Sequence, residues 1–230
     1  MKIACYGYRI IMFSLLVSVV ISAGVVYMAL EINTFLLLVL IFPVFFCGWV
    51  VWFFRDPDRQ VPKEEGVFVS PADGVVLDVI HRDGDTPGGA GSVFISIFMS
   101  IFNVHVNRSP CDGRVVDVSY KSGCFFNAGG SRASERNEAV TTVLACTSGE
   151  KEYRITIRQV AGAIARRIIN TLTRGRQVRR GERIGMIKFG SRLEITIPGE
   201  LVGEVLVSPG RHVRAASTIL ARLPISGSDQ

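Results

Sequence analysis

Two uncharged stretches near the N-terminus set the first constraint on this chain. Ile10 to Leu30 and Thr34 to Phe54 each run 21 residues without a charged side chain, and only Glu31-Ile32-Asn33 separates them. As a helix, each is long enough to cross a hydrocarbon core of about 30 Å. A cleaved secretory signal has an apolar region of only about 7–15 residues and no second span directly behind it. The pair therefore predicts a transmembrane helical hairpin, with helices at about 10–30 and 34–54, and Pro43 and Gly48 as candidate kink positions in the second. Lys2 and Arg9 precede the hairpin, Arg55, Arg59 and Lys63 follow it, and the connection carries no Lys or Arg. The positive-inside rule then puts both ends, and the domain that follows, on the cytoplasmic side of the cell (inner) membrane. A hairpin lying within one leaflet would give the same sidedness. The expected division is a membrane hairpin over 1–60 and a second domain over 61–230.

The net charge of +6 is unevenly spread. From Arg154 to Arg192 there are eleven basic residues and a single acid, Glu182. Such a block attracts phosphates, on nucleic acid or on an anionic membrane. No nucleic-acid-binding motif accompanies it, so beside a membrane anchor the expected partners are lipid headgroups. The five cysteines are scattered with no C-x-x-C pair, which argues against a metal site and against a disulfide scaffold.

From Val67 onward the pattern is short β-rich runs punctuated by glycine and proline. Arg154-Ile155-Thr156-Ile157 and Leu193-Glu194-Ile195-Thr196-Ile197 alternate as half-buried strands do. Gln159 to Leu172 reads as the one helix, and residues 87–91 and 128–134 read as flexible loops. An internal repeat stands out: the ten residues from Ser70 (SPADGVVLDV) return from Ser109 (SPCDGRVVDV) with seven identities. Each copy reads as a turn feeding a strand, and Val178 to Gly185 and Pro209 to Val213 have a related look. The expected fold is mainly β (α+β): a lipoyl/biotinyl-like β barrel-sandwich with one helix, after the hairpin.

A Gly-Ser pair between strands is ordinarily a turn. Gly190-Ser191 is flanked on both sides by hydrophobic strand, Ile187-Lys188-Phe189 before and Arg192-Leu193 after. Glycine leaves its carbonyl open to close approach and to strained conformations. The next residue's hydroxyl can attack that carbonyl and turn the amide into an ester. Removal of the serine α-proton then expels the upstream carboxylate, and the dehydroalanine left behind hydrolyses to a pyruvoyl group.

Several ordered motifs, together covering nearly all of the chain after the hairpin, resemble one family. They are Phe54-Arg55-Asp56-Pro57, Ser70-Pro71-Ala72-Asp73-Gly74, the run from Asn103 to Pro110 (NVHVNRSP), the run from Gln159 to Arg167 (QVAGAIARR) and that from Gly185 to Arg192 (GMIKFGSR). The chain resembles the phosphatidylserine decarboxylases in their short bacterial and archaeal form, in which Gly-Ser-Arg stands where long members have Gly-Ser-Thr or Gly-Ser-Ser. The resemblance implies a carboxy-lyase that cuts itself between Gly190 and Ser191, with Ser191 becoming a covalent pyruvoyl cofactor. It implies a Schiff base to the amine of phosphatidylserine, loss of CO2 and release of phosphatidylethanolamine, by a heterodimer of the two cleavage products. It also implies an Asp73–His105–Ser191 relay in the precursor, with His105 returning a proton to the substrate. Long members carry a second histidine where this chain has Arg108, so either His105 would serve both reactions or one of the roles would fall to another group. Taken without the resemblance, Asp73 is an ordinary turn residue and His105 an ordinary buried histidine.

For the substrate, Arg166 and Arg167 are candidates to hold the headgroup phosphate, and Phe98, Phe102 and Phe189 are candidate walls of an apolar pocket. Two alternatives stay open: a non-enzymatic membrane-anchored carrier or adaptor, and the same chemistry on archaetidylserine. The sequence leaves self-association into a homo-oligomer open.

Overall fold

The computed structural model describes residues 2–84, 91–148, 151–163, 167–188 and 190–224. The chain divides into two compact units, Met1–Asp58 and Arg59–Gln230.

In the first unit a short strand β1 (Lys2–Ile3) leads through a 3-10 turn into α1 (Tyr8–Glu31). Asn33 caps the next segment by accepting the Phe35 N–H at 2.9 Å. That segment is 3-10 over Thr34–Leu40 and becomes α2 over Ile41–Phe53, after which β2 (Arg55–Asp56) pairs antiparallel with β1. Pro43 falls in the first turn of α2, where a missing N–H costs little, and the helical run continues through it. Small polar groups join the two helices: Ser18 Oγ donates to the Pro43 carbonyl at 3.5 Å and Cys47 Sγ donates to Ser18 Oγ at 3.1 Å. Most large apolar side chains point outward instead, with Leu30, Phe35 and Phe45 each more than three-quarters exposed, while Val50 and Phe53 at the end of α2 are buried. Polar groups inside and apolar groups outside reverse the pattern of a water-soluble helix pair. The unit is consistent with association with a membrane.

The second unit is mostly strand. In chain order it contains β3 (Val67–Val69), β4 (Gly74–Arg82), β5 (Ser92–Met99), β6 (Val106–Arg108), β7 (Gly113–Lys121), α3 (Ser131–Arg136), β8 (Ala139–Ser148) and β9 (Lys151–Val160). There follow β10 (Ile168–Asn170), β11 (Gln177–Val178), β12 (Arg183–Ile187), β13 (Ser191–Pro198), β14 (Glu204–Val205), β15 (His212–Val213) and β16 (Ile219–Arg222). Eight of these form one sheet, in the order β11-β7-β8-β9-β13-β5-β4-β15, curled into a half-barrel. Two three-stranded sheets, β10-β12-β6 and β14-β16-β3, complete the unit. Alternation along the central strands sends Ile95, Ile97, Leu193, Ile195 and Ile197 to the inner face, where all are fully buried.

The sequence repeat is a structural repeat. In each copy the serine hydroxyl donates to the carbonyl two residues on, Ser70 to Ala72 and Ser109 to Cys111, both at 2.7 Å. The glycine of each copy opens a long strand, β4 or β7, and each strand has a register shift two residues in. Each strand start also receives a short partner strand, β15 on β4 and β11 on β7. The aspartates match as well: Asp73 accepts the Ala215 N–H at 2.8 Å and Asp112 the Arg180 N–H at 3.0 Å.

One expectation is corrected. The stretch 159–172 is not a helix among its described residues: Gln159 and Val160 end β9, and Ile168–Asn170 form β10. Alanines favour a helix locally, but the residues at both ends complete ladders with β8, β13 and β12, and tertiary pairing outweighs propensity. Helix is found at Ser131–Arg136 instead, overlapping the stretch read as a loop at 128–134. Of the loop expected at 87–91, only Gly91 lies among the described residues.

Candidate active site

Ser191 is the first residue of β13 and pairs with Met99 at the end of β5. Its side chain is completely buried, and its hydroxyl donates to Met99 Sδ at 3.4 Å. A thioether is a weak acceptor, so the hydroxyl gives up little when it turns elsewhere. Gly190 before it has φ +65°, in the left-handed region that suits glycine. Its carbonyl is approached so closely by Gly162 that a Cβ on Gly162 would collide with the Gly190 oxygen.

His105 reaches this bond from the other side. It follows a turn fixed by Asn103, whose side-chain oxygen accepts both the N–H and the hydroxyl of Ser100 at 2.9 Å. The imidazole is fully buried, with Nδ1 2.9 Å from the Asn103 carbonyl. A carbonyl can only accept, so Nδ1 carries the proton and Nε2 keeps its lone pair. That lone pair faces the Gly190 N–H at 3.3 Å. Gly190, Ser191 and His105 are therefore assembled at one point of the fold.

Asp73 is engaged differently from the expected relay. Its two carboxylate oxygens take Arg59 Nη2 at 2.8 and 2.6 Å, and one also takes the Ala215 N–H. The orienting group seen at His105 Nδ1 is the Asn103 carbonyl. Arg108, at the position of the second histidine of long members, is buried and donates to the Gly181 carbonyl at 3.0 Å.

A cavity of about 320 Å³ opens beside the Gly-Ser bond, lined by Phe98, Ile101, Asn127, Ala128, Ala163 and Gly190 among others. Phe98 is thus placed at the site, whereas Phe102 is 63% exposed and outside this lining. Arg167 is exposed, and its carbonyl accepts the Lys188 N–H at 3.3 Å. Lys188 itself is buried, and its amine is held below the ordinary lysine range, first by burial and then by the Arg167 charge. Arg166 and Phe189 lie outside the described residues.

Residues 46–221 match the family described as phosphatidylserine decarboxylase. The chain belongs to the phosphatidylserine decarboxylase family. It is 40% identical over 217 residues to a phosphatidylserine decarboxylase proenzyme of Chlorobium limicola, covering 94% of this chain and 98% of that one. It is 46% identical over 173 residues to the proenzyme of that name from Pelobacter propionicus, covering 75% and 76% of the two chains. The proenzyme from Symbiobacterium thermophilum is 42% identical over 176 residues, covering 76% and 80%.

Within this decarboxylase fold, Ser191 is supported by residues to which the sequence assigned no role. Asn107 Nδ2 approaches Met99 Sδ at 3.7 Å, and Asn107 Oδ1 accepts Gln159 Nε2 at 2.8 Å. Asn170 Nδ2 in turn donates to Gln159 Oε1 and to Thr142 Oγ1, each at 3.0 Å. Asn137, fully buried, donates to the Phe126 and Ala161 carbonyls and accepts the Phe126 N–H, tying the loop over the cavity to the strand before Gly162. The available signal was polar amides inside apolar strands, since buried amides are kept only where they are hydrogen-bonded.

Proposed function

We propose that Gly190–Ser191 is the bond this proenzyme cuts in itself, and that Ser191 becomes the pyruvoyl group with which it decarboxylates phosphatidylserine. The activity and the self-generated pyruvoyl cofactor follow from the family; the assignment to these residues is our reading. The observation that carries it is the His105 Nε2 lone pair 3.3 Å from the N–H of Gly190, the residue directly before the buried Ser191.

In this reading the Ser191 hydroxyl gives its proton to His105 Nε2 and attacks the Gly190 carbonyl carbon. The C–N bond breaks and an ester forms. Loss of the residue-191 α-proton breaks the Cβ–Oγ bond of the ester, forming the Cα=Cβ double bond, and Gly190 departs as a carboxylate that keeps Oγ. The dehydroalanine takes up water and releases ammonia, leaving the pyruvoyl group. These residues fit that group: the carbonyl is backed by a glycine, and the serine is held in a strand that stays paired on both sides. When formed, the group supplies an electrophilic carbonyl for the substrate amine and a sink for the electron pair left by CO2. His105 then holds at Nε2 the proton that replaces CO2, with the Asn103 carbonyl fixing the ring. Phe98, Ile101, Ala128 and Ala163 keep the cavity apolar, which disfavours a carboxylate and favours its loss. Asp73 acts as a positioning residue, holding Arg59 and the Ala215 turn at the start of β4.

We further read the duplicated turn-and-strand units as a lipoyl/biotinyl-like barrel-sandwich. The hairpin up to about residue 60 crosses the inner membrane and leaves the catalytic domain on the cytoplasmic side, the side its flanking Lys and Arg residues favour. Arg167, exposed, suits the anionic lipid surface. The carrier alternative needs a lysine at an exposed tip, and Lys188 is buried.

The test is intact mass and denaturing electrophoresis of the full chain in membranes. The active protein is expected as two pieces, with Ser191→Ala uncut at 25.2 kDa and inactive, and His105→Asn slowed in cutting by about 100-fold or more. An active, uncut chain would overturn the assignment.

A further inference from the structure

Arg192 is the residue after the proposed nucleophile, and its side chain lies on the opposite face of β13 from the core. There it stands across from Phe98, while Glu194 two residues on stands across from Ser96 and Arg158. Arg158 Nη1 satisfies Glu194 Oε2 at 3.1 Å. Arg192 reaches Glu194 Oε1 only at 3.7 Å, too far for a hydrogen bond. The result is a guanidinium that is 4% exposed and whose Nε has no hydrogen-bond partner. An unpaired donor buried in this way costs free energy that a bound acceptor would return.

Arg192 also lines a cavity of about 400 Å³, together with Asp78, Arg82, Phe94, Gly129 and Ser134 among others. Arg82 is stacked over the Phe94 ring at 4.7 Å, and Ser134 Oγ accepts Arg158 Nη1 at 3.3 Å. The charged groups lining this cavity are Arg82 and Arg192 against Asp78, an excess of one positive charge. A monoanion with several acceptor oxygens fits that balance and the planar fork of an arginine.

The two cavities are neighbours. Phe98 lines the one at Gly190, its cross-strand partner Arg192 lines the other, and Gly129 sits over the Phe98 ring, so that a Cβ there would be 3.8 Å from it. We propose that Arg192 receives a phosphodiester: the headgroup phosphate of the substrate binds in the Arg192 cavity while its serine end occupies the cavity beside Gly190. The serine nitrogen and the phosphorus are joined by the short chain N–Cα–Cβ–O–P, so one headgroup can present its amine to residue 191 and its phosphate to residue 192. This rests on the decarboxylase assignment above. It adds a specificity residue, selecting phosphorylated serine over free serine.

The experiment measures binding of glycerophosphoethanolamine, which has no carboxylate to lose, to the full-length cleaved protein in detergent by phosphorus NMR titration. Inorganic phosphate serves as the second ligand. Arg192→Gln is expected to weaken glycerophosphoethanolamine binding about tenfold or more. Arg192→Lys, which keeps a cation beside Glu194, should fold and lie between. In turnover, KM for phosphatidylserine should rise in both variants while KM for a free-serine substrate does not. Unchanged affinity in both variants would overturn the proposal, as would inorganic phosphate binding as tightly as the diester, which would mark a general anion site. Intact mass is read in parallel. Wild type that stays uncut and inactive sinks the underlying assignment, whereas cut, active wild type with Arg192-independent binding sinks this inference alone.

Discussion

Gly162 lies against the carbonyl oxygen of Gly190, with no room between them for a Cβ. The carbonyl it touches is the one that Ser191 would attack. Gly162→Ala should push that carbonyl away from the hydroxyl and from His105. A displacement on the order of 1 Å at a reacting centre costs about 100-fold in rate. Self-cleavage followed by electrophoresis should slow by about that factor while the sheet stays folded, and cleavage at the wild-type rate would show that the close approach has no part in the reaction.

The amide chain behind Ser191 makes a second prediction. Gln159 is 1% exposed and serves Asn107 and Asn170 at once. Gln159→Leu would leave an Asn107 acceptor and an Asn170 donor without that partner. A loss of about 1–3 kcal/mol is expected, read as a lower midpoint in thermal unfolding of the detergent-solubilised chain. A midpoint equal to wild type would mean the network is dispensable.

The third concerns two thiols on the far side of the repeat. Cys111 and Cys146 line one cavity together with Arg180. A hydrogen bond from Cys111 holds the Cys146 thiol below the ordinary cysteine range, while the same pairing and burial push Cys111 well up. As pH rises, Cys146 therefore becomes a thiolate first. Iodoacetamide should modify Cys146 ahead of Cys111, with a midpoint lower than for an ordinary thiol. Cys111→Ala should move that midpoint upward, and peptide mass spectrometry that finds no such shift would contradict the pairing.

Part of this candidate site is legible in the sequence. Gly190, Ser191 and His105 stand in motifs whose order is specific, and the structure brings these residues together. The repeat at Ser70 and Ser109 was visible as letters, and the two stretches with a related look, Val178 to Gly185 and Pro209 to Val213, hold residues of the matching short strands β11 and β15. Gln159 to Leu172 misled because an alanine-rich stretch was weighed by local preference, while its ends belong to ladders formed with residues far away in sequence. The Asn103 carbonyl at His105 was illegible for a related reason, since a backbone group carries no residue signature. Arg192 was read as a family letter and as the last member of the basic block that starts at Arg154, with no role of its own. Its burial depends on which face of β13 meets the loop that carries Gly129 and Ser134.

The register of β13 has a consequence for the severed molecule. After Ser191, β13 lies between β5 and β9, β15 lies on β4, and β16 lies on β3, so the later segment is threaded through sheets built by the earlier one. A cut at Gly190 would change the number of chains and leave the topology untouched. The new chain end would be created at the start of β13, the fifth strand in the order of the eight-stranded sheet. Folding would come first and scission second, since residues 105 and 190 meet only in the folded chain, and the two fragments would stay joined through their shared sheets.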